Sequence, residues 1–120
     1  GDSDLKVAKL YDMLPAQAGD SSEGRTPADN QTVRSVFVIG PDKKIKLVLT
    51  YPMTTGRNFD EILRVIDALQ VGDKFKIATP ADWVPGQNVI IPPSVADADA
   101  AKAFPQGFET IRPYLRTVKI

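Results

Sequence analysis

The chain has 120 residues, enough for one modest domain or for one domain with an appended lobe. Hydrophobic residues make up 42%, and fifteen basic residues balance fifteen acidic ones, so a packed core is expected but no charge field for nucleic acid or an anionic membrane. No apolar stretch approaches the length of a membrane span. The sequence has neither cysteine nor histidine, which excludes thiol, histidine-dependent and ordinary zinc chemistry for these residues alone. We therefore expect no metal, no cofactor, no nucleic acid and no membrane among the partners.

The first 31 residues are predicted to form a short helix followed by a loop. Apolar residues at helical spacing predict a helix over residues 4–14, with Ser3 or Asp4 as its N-cap. Residues 15–31 are polar, rich in turn-forming residue types and without periodicity. Because this stretch is long for a compact domain, we interpret it as a surface excursion or an interface element.

A β-hairpin is predicted next. The runs Thr32–Gly40 and Ile45–Tyr51 are rich in β-branched and aromatic residues, and Pro41–Lys44 between them is favourable turn sequence. The first run is almost continuously apolar, which is typical of a strand that is covered on both faces of its sheet.

The clearest predicted helix spans Asn58–Gln70. Asn58 can cap the free amides of the first turn, Glu61 stands at the capping-box position, and Gly72 is predicted to close the helix. One face of this helix is apolar and contains Phe59, Ile62, Leu63, Ile66 and Leu69.

After Gly72 the elements are predicted to be shorter, because prolines and glycines are frequent there. Ser94 is the predicted N-cap of a small alanine-containing helix. The predicted elements are strands at Lys74–Ala78, Val89–Ile91 and Tyr114–Ile120, and a helix over Ser94–Phe104. This change in character predicts two domains, residues 1–72 and a C-terminal lobe of residues 73–120.

Two arginines are candidates for binding a polar ligand. The stretch Thr54–Asn58 ends at a predicted helix N-terminus, where free amides, the positive end of the helix dipole and the Arg57 guanidinium favour an anion or a polar oxygen substrate. The alternative is an ordinary loop that caps the helix, in which the Arg57 side chain is solvated or paired with a carboxylate. The sequence Thr54–Asn58 is equally compatible with it. Arg34 interrupts an apolar strand, so its side chain must face solvent or find a partner. From the residue types alone, both interpretations of each arginine stay open.

The other polar positions have simpler interpretations. Asp42 is expected to be a turn residue of the hairpin, and Trp83 is expected to pack the lobe onto the long helix. The sequence contains no paired-carboxylate arrangement, no phosphate-loop motif and no metal-ligand spacing. The residues alone therefore predict an α/β chain with one candidate anion-binding corner.

Several stretches together carry a family resemblance, and Tyr51–Arg64 is the most specific of them. The order of elements from Gly1 to about Arg116 resembles the C-terminal half of one-cysteine peroxiredoxins, the peroxiredoxin-six subfamily. The matching stretches are Asp4–Leu14, Thr32–Lys44, Tyr51–Arg64, Ala78–Trp83, Phe104–Gly107 and Tyr114–Arg116. The resemblance implies an α/β fold: the C-terminal half of a thioredoxin-like, peroxiredoxin fold followed by a small α+β C-terminal lobe that is associated with dimerisation.

The resemblance also implies a reaction. In this family a cysteine thiolate attacks the O–O bond of hydrogen peroxide or an organic hydroperoxide, and an external thiol reduces the resulting sulfenic acid. Arg34 matches the family arginine that lowers the pKa of the cysteine and contacts the peroxide, and Arg57 matches a second arginine beside the same pocket. The cysteine-bearing motif of the family has no counterpart in this sequence. We therefore expect this chain to be inactive alone, as a fragment of a thiol peroxidase that acts in antioxidant defence.

Three readings of the chain follow from these observations. In the first, it is the C-terminal portion of the peroxidase and works with a companion N-terminal polypeptide. In the second, it is a non-enzymatic module that forms a homodimer or a strand-exchanged oligomer, because a divided sheet leaves strand edges and an apolar helix face uncovered. In the third, it is an anion-binding domain that uses Arg34 and Arg57. The acidic, polar start of the sequence is not a secretion signal, so we expect a cytoplasmic location.

Overall fold

The computed structural model describes residues 2–14, 19, 23–26, 28 and 34–120. They form two compact units, Gly1–Arg57 and Asn58–Ile120. Unit 1 contains α1 (Lys6–Leu10), β1 (Arg34–Ile39) and β2 (Ile45–Tyr51). Unit 2 contains α2 (Phe59–Phe75), β3 (Val89–Ile91), α3 (Asp97–Ala103), β4 (Glu109–Arg112) and β5 (Leu115–Val118). The division into domains 1–72 and 73–120 stays a prediction about the family's architecture.

Helix α1 is shorter than predicted. It begins at Lys6, and its N-cap residue is Leu5 in the left-handed conformation, with φ 55°. The chain before it turns back, so the Asp2 carboxylate accepts hydrogen bonds from the amides of Val7 (3.1 Å) and Ala8 (2.7 Å). The predicted N-cap at Ser3 or Asp4 is therefore wrong, because the turn brings a carboxylate from further upstream to the free amides. Most of the predicted loop over residues 15–31 lies outside the described residues.

The predicted hairpin is confirmed for the described part of its first strand. Strands β1 and β2 pair antiparallel from Arg34 opposite Tyr51 to Ile39 opposite Ile45, with an irregularity in register next to Ile39. The positions Thr32 and Val33 lie outside the described residues. Alternate residues of β2 are half-buried and exposed, so this strand is covered on one face only within unit 1.

The hairpin turn explains the role of Asp42. Its carboxylate accepts a hydrogen bond from the Lys44 amide (3.2 Å) and pairs with the Lys46 ammonium (2.9 Å). The hydrogen bond from Lys46 is the main reason that the pKa of Asp42 lies below its ordinary value. Lys43 adopts a positive φ of 60°, which completes the tight turn. Asp42 is therefore a turn residue, as predicted.

Helix α2 begins where predicted and ends later. The Asn58 side chain accepts a hydrogen bond from the Glu61 amide at 3.2 Å, which confirms the N-cap. The helix continues past Gly72 to Phe75, and Lys76 in the left-handed conformation donates its amide to the Gly72 carbonyl at 2.9 Å. Lys74 and Phe75 are therefore helical and not part of the predicted strand Lys74–Ala78. That strand is reduced to one isolated bridge between Ala78 and Ile90.

The core of the described structure lies in unit 2. Its sheet has the order β3-β5-β4, and all of its pairs are antiparallel. Trp83, Val89 and Ile91 are fully buried, and α2 contributes Ala68 and Val71 at the edge of the same cluster. Burying a large apolar side chain contributes about 1.5–3 kcal/mol, so each of these three side chains stabilises unit 2 by about that amount. The predicted packing of Trp83 is confirmed, and the predicted strands at β3 and β5 are present.

The segment between β3 and α3 is held by Arg116 of β5. Its guanidinium donates to the carbonyls of Pro92 (2.9 Å) and Val95 (2.6 Å) and pairs with the Asp97 carboxylate (2.5 Å). Helix α3 begins at Asp97 after an N-cap at Ala96 that has no side-chain hydrogen bond, so the predicted N-cap at Ser94 is wrong. The hydrogen bonds of Arg116, and not a serine cap, therefore hold the segment that leads into α3.

Among the described residues, no helix is long and apolar enough to cross a membrane.

Candidate functional site

Arg34 is located at the end of the hairpin that is opposite its turn. It is the first residue of β1, lies opposite Tyr51 and is partly buried. Within the described chain its side chain has no hydrogen bond and no ion pair. A guanidinium has five N–H donors, so those of Arg34 are available to a ligand or to polypeptide outside these residues.

Arg57 follows the same end of the hairpin. A turn after β2, closed by a 2.9 Å hydrogen bond from the Thr55 amide to the Pro52 carbonyl, leads to Arg57 directly before the N-cap of α2. Arg57 lies six positions after Tyr51, which corresponds to at most about 20 Å of extended chain. The Arg57 side chain is exposed and makes no hydrogen bond or ion pair in the part of the chain that the structure describes. Arg34 thus lies at the end of the hairpin opposite its turn, and Arg57 follows the same end in the chain. That their guanidinium groups converge on one pocket stays a prediction.

The N-terminus of α2 is less favourable for an anion than the sequence analysis predicts. Asn58 already accepts the Glu61 amide, so one of the free donors is satisfied. Asp60 and Glu61 place two carboxylates in the first turn, where they neutralise the positive end of the helix dipole. This arrangement favours a neutral ligand with polar oxygens over a free anion at this helix end.

Glu61 does not complete the predicted capping box. Its carboxylate binds the Arg64 guanidinium through two hydrogen bonds, of 2.6 Å and 2.8 Å, and the same guanidinium donates to the Trp83 carbonyl at 3.1 Å. The hydrogen bond with Arg64 lowers the pKa of Glu61 and raises that of Arg64. Because Trp83 is buried in the core of unit 2, this network ties the first turns of α2, which directly follow Arg57, to the lobe.

Two concave surfaces lie elsewhere in the described structure, one in each unit. One, of about 590 Å³, is in unit 1 and includes Tyr11, Phe37 and Lys43. The other, of about 620 Å³, is an open groove in unit 2 between α2 and residues 77–82, with Arg64 and Asp82 among its lining residues. Arg34 and Arg57 are not among the lining residues of either surface. The described residues contain no cluster of acidic side chains that could hold a metal ion.

The structural roles of Arg64 and Arg116 were not predicted from the sequence. The signal for Arg64 is its position three residues after Glu61 on a helix, a spacing that brings opposite charges together. The signal for Arg116 is weaker, because an arginine next to apolar residues in a strand gives no indication of which carbonyl groups it will meet.

Known proteins match this chain along nearly its whole length. A family model for the C-terminal domain of 1-Cys peroxiredoxin matches residues 68–107. The 1-Cys peroxiredoxin of Dictyostelium discoideum is 50% identical over 115 residues, which are 96% of this chain and 44% of that protein. The chain spans about half the length of the curated relatives it matches.

Solved structures agree in fold. A structure of the yeast mitochondrial 1-Cys peroxiredoxin aligns with a TM-score of 0.84 and 49% identity, covering 100% of this chain and 55% of that one. A cysteine-to-serine mutant of peroxiredoxin 6 from Arenicola marina aligns with a TM-score of 0.79 and 42% identity, covering 99% and 54%. These alignments confirm the predicted fold class. The chain has the sequence and the fold of the C-terminal part of a one-cysteine peroxiredoxin.

Proposed function

We propose that this chain supplies the arginine side of a thiol peroxidase active site, and that the reactive cysteine comes from polypeptide outside these 120 residues. The observation that carries the proposal is the pairing of a peroxiredoxin sequence and fold with a complete absence of cysteine. A peroxiredoxin reduces peroxide through a cysteine thiolate, so these residues alone cannot carry the reaction. We therefore expect the isolated chain to be inactive toward hydrogen peroxide and organic hydroperoxides.

In this proposal Arg34 and Arg57 stabilise charge. As a thiolate attacks one peroxide oxygen, negative charge develops on the leaving oxygen, and a fixed guanidinium stabilises it because its donors are already oriented. The same positive charge lowers the pKa of a neighbouring thiol and favours the reactive thiolate. The absence of described partners for either side chain supports this role, since neither guanidinium has to break an existing hydrogen bond before it binds the peroxide.

The reductant and the location are part of the same proposal. The yeast neighbour is described in connection with glutathione and thioredoxin systems, and we propose an external thiol as the reductant of the parent enzyme. We also propose a cytoplasmic location, although that neighbour is mitochondrial. Fractionation of the source cells with an antibody against the chain would decide between the two compartments.

A single-chain chimera would test the proposed function. The cysteine-bearing half of a one-cysteine peroxiredoxin would be joined to residues 1–120, and peroxide consumption would be followed with dithiothreitol as the thiol. We expect the chimera to be active and the isolated chain to stay at background. Replacing Arg34 or Arg57 with Met should lower kcat/KM about 100-fold or more, the usual effect of removing a donor to the transition state.

The control for that experiment is Arg112→Met, which removes an exposed arginine of β4 in unit 2. It should leave kcat/KM within about twofold, because a surface charge away from the reacting atoms stabilises the transition state weakly. Catalytic turnover by the isolated chain, or full activity of the Arg34 and Arg57 variants, would contradict the proposal.

Self-association is a second candidate function, and a specific observation favours it. The hairpin exposes Ile39 (48%), Ile45 (53%) and Val48 (48%). The helix α2 exposes Phe59 (70%) and Leu63 (60%), one turn apart on one face. Exposed apolar surfaces of this kind are typical of contact sites, so we propose a homodimer or a strand-exchanged oligomer as the alternative.

Sedimentation of the isolated chain over a range of concentrations would test this alternative. We expect a dimer that dissociates on dilution, and Val48→Lys should shift it to the monomer because a charge in an apolar contact is costly to desolvate. The control is Thr110→Lys, which adds the same charge at an exposed polar position of β4 in unit 2. A monomer at every concentration would exclude this function.

A further inference from the structure

The only sulfur atoms of this sequence are those of Met13 and Met53, because it contains no cysteine. Met53 lies two positions after the end of β2, in the turn closed by the Thr55 amide and the Pro52 carbonyl, and the residue is 40% exposed. Every residue from 52 to 60 is exposed, so the segment around Met53 lies at the protein surface. Met13 is partly buried and follows α1, where its amide donates to the Ala8 carbonyl at 2.9 Å.

We propose that Met53 is a site of reversible oxidation, at which a hydroperoxide forms the sulfoxide before Met13 reacts. A lone pair of the Met53 sulfur attacks one peroxide oxygen, and the S–O bond forms as the O–O bond breaks. The proton on the attacked oxygen passes to the leaving oxygen, which departs as water or as an alcohol. The sulfur loses two electrons and the peroxide gains two, so no further reductant or oxidant is needed.

Chemistry and exposure both favour Met53. A thiolate normally reacts with peroxide before a thioether does, and this chain has no thiol to compete. Of the two methionines, Met53 is the more exposed residue, so we expect it to meet dissolved peroxide more often. The inference concerns this chain by itself, in which no cysteine competes for peroxide, and it makes no use of the arginine roles proposed above, so each of the two can fail without the other.

The position of Met53 also makes the oxidation harmless to the fold. A sulfoxide is polar and disrupts a core when it forms at a buried methionine. The Met53 side chain lies in an exposed turn, where water solvates the added oxygen. We therefore infer that unit 1 keeps its structure after oxidation, and that a methionine sulfoxide reductase can reach and restore the thioether. Met53 then acts as a scavenging group that consumes one peroxide per cycle.

Peptide mapping of the whole chain after treatment with hydrogen peroxide tests the inference. In the folded chain, the rate of sulfoxide formation at Met53 should be at least about three times the rate at Met13. The two rates should become equal in concentrated urea. Equal rates in the folded chain, or a faster reaction at Met13, would overturn the proposal.

Two variants and one enzyme complete the test. Met53→Leu should remove the fast phase of oxidation, whereas Met13→Leu should leave it unchanged, and circular dichroism would check that both variants are folded. Oxidation confined to Met53 should change Tm by less than about 2 °C, as is usual for a change at an exposed site. Methionine sulfoxide reductase should restore the original mass. A larger fall in Tm, or a sulfoxide that the reductase cannot reach in the folded chain, would show that Met53 is not the exposed reversible site proposed here.

Discussion

Arg116 is buried among apolar neighbours, with only 4% of its surface exposed. Its charge is compensated by the Asp97 carboxylate and by the carbonyls of Pro92 and Val95, and its guanidinium lies 5.9 Å from the centre of the Phe108 ring. One donor, Nε, is buried without a hydrogen bond among the described residues. The side chain thus joins β5 to the segment before α3, and it does so at the cost of desolvating a cation.

Replacing Arg116 with Met should destabilise unit 2. The stem keeps its packing, but the two carbonyl groups lose a charged donor, so we expect the free energy of unfolding to fall by about 1–3 kcal/mol. Urea titration followed by the fluorescence of Trp83 measures this, because Trp83 is the only tryptophan and lies in the same unit. Arg112→Met, at an exposed position, should change stability by less than about 0.5 kcal/mol. Equal effects of the two substitutions would contradict the role assigned to Arg116.

The Glu61–Arg64 pair makes the stability of unit 2 depend on pH. Its hydrogen bonds hold the pKa of Glu61 below the ordinary value of 4.5, so the folded state binds a proton less readily than the unfolded state. The contribution is therefore fully present above pH 4.5 and is lost as the pH falls through the lower folded pKa. We expect Glu61→Gln to be less stable than the original chain at neutral pH and to approach it in acid.

The matched control for this titration is Asp60→Asn. Asp60 lies in the same first turn and has no ion pair within the described ranges, so Asp60→Asn removes a carboxylate from this turn without breaking the Glu61–Arg64 pair. Subtracting its pH profile from that of Glu61→Gln isolates the pair. A difference that does not change with pH would show that Arg64 does not stabilise the ionised form of Glu61.

At the scale of single elements, α2 shows which local signals are reliable. The cap at Asn58 is predicted from the residue type alone, since it needs only the amide three positions later. The structure confirms it, because the Glu61 amide donates to the Asn58 side chain. The predicted helix end, Gln70, lies five residues before the observed end at Phe75, because a glycine permits a helix to stop but does not oblige it to. Gly72 stays helical, and a Cβ there would lie at an ordinary 3.4 Å from the Ile77 carbonyl oxygen. The helix stops at Lys76, where the chain turns toward the buried Ile77.

Removing the cap of α2 should cost measurable stability. Asn58→Ala leaves the Glu61 amide without its acceptor, and we expect the free energy of unfolding of unit 2 to fall by about 0.5–2 kcal/mol. Asn58→Ser retains a side-chain oxygen at the same position and should recover most of the loss. Urea unfolding of the three proteins compares them. An alanine variant as stable as the original would show that water replaces the cap at no cost.

Strand β4 illustrates a signal that local sequence does not contain. All four of its residues are exposed, so no alternation of apolar and polar positions marks it. It forms because Thr110 and its neighbours pair with β5, and β5 is also paired with β3 on its other edge. The prediction of a single terminal strand at Tyr114–Ile120 therefore found β5 and missed its partner.

At the scale of the whole molecule, the buried apolar side chains are distributed unequally. Among the described residues, Leu5 is the buried apolar residue of unit 1. The other buried apolar residues belong to unit 2 and are Val65, Ile77, Trp83, Val89, Ile91, Ala100, Phe104 and Val118. Unit 2 thus contains a core of its own, whereas the hairpin of unit 1 exposes part of its apolar surface.

Residues 58–120 should therefore fold without the rest of the chain. All members of the unit 2 core cluster lie within that range, so their mutual packing does not require unit 1. We expect the isolated piece to unfold cooperatively in urea and to show the blue-shifted fluorescence of a buried Trp83. Trp83→Ala should lower the free energy of unfolding by about 3–5 kcal/mol, and the circular dichroism spectrum of this variant serves as the reference for the unfolded piece. A piece that resembles this reference before urea is added would contradict the independence of unit 2.

The sequence by itself determined the family, the hairpin and the α2 cap, whereas the site role of Arg34 and Arg57 stays a prediction. Each depends on residue types within a few positions of one another or on an extended match to known motifs. Only the tertiary structure decided that Glu61 binds Arg64, that α2 continues to Phe75 and that Arg116 is buried. The Arg116 contacts join residues 19 to 24 positions apart, and such contacts form only after the chain has packed. Local sequence sets which groups need partners, and the packed chain decides which partners come within reach.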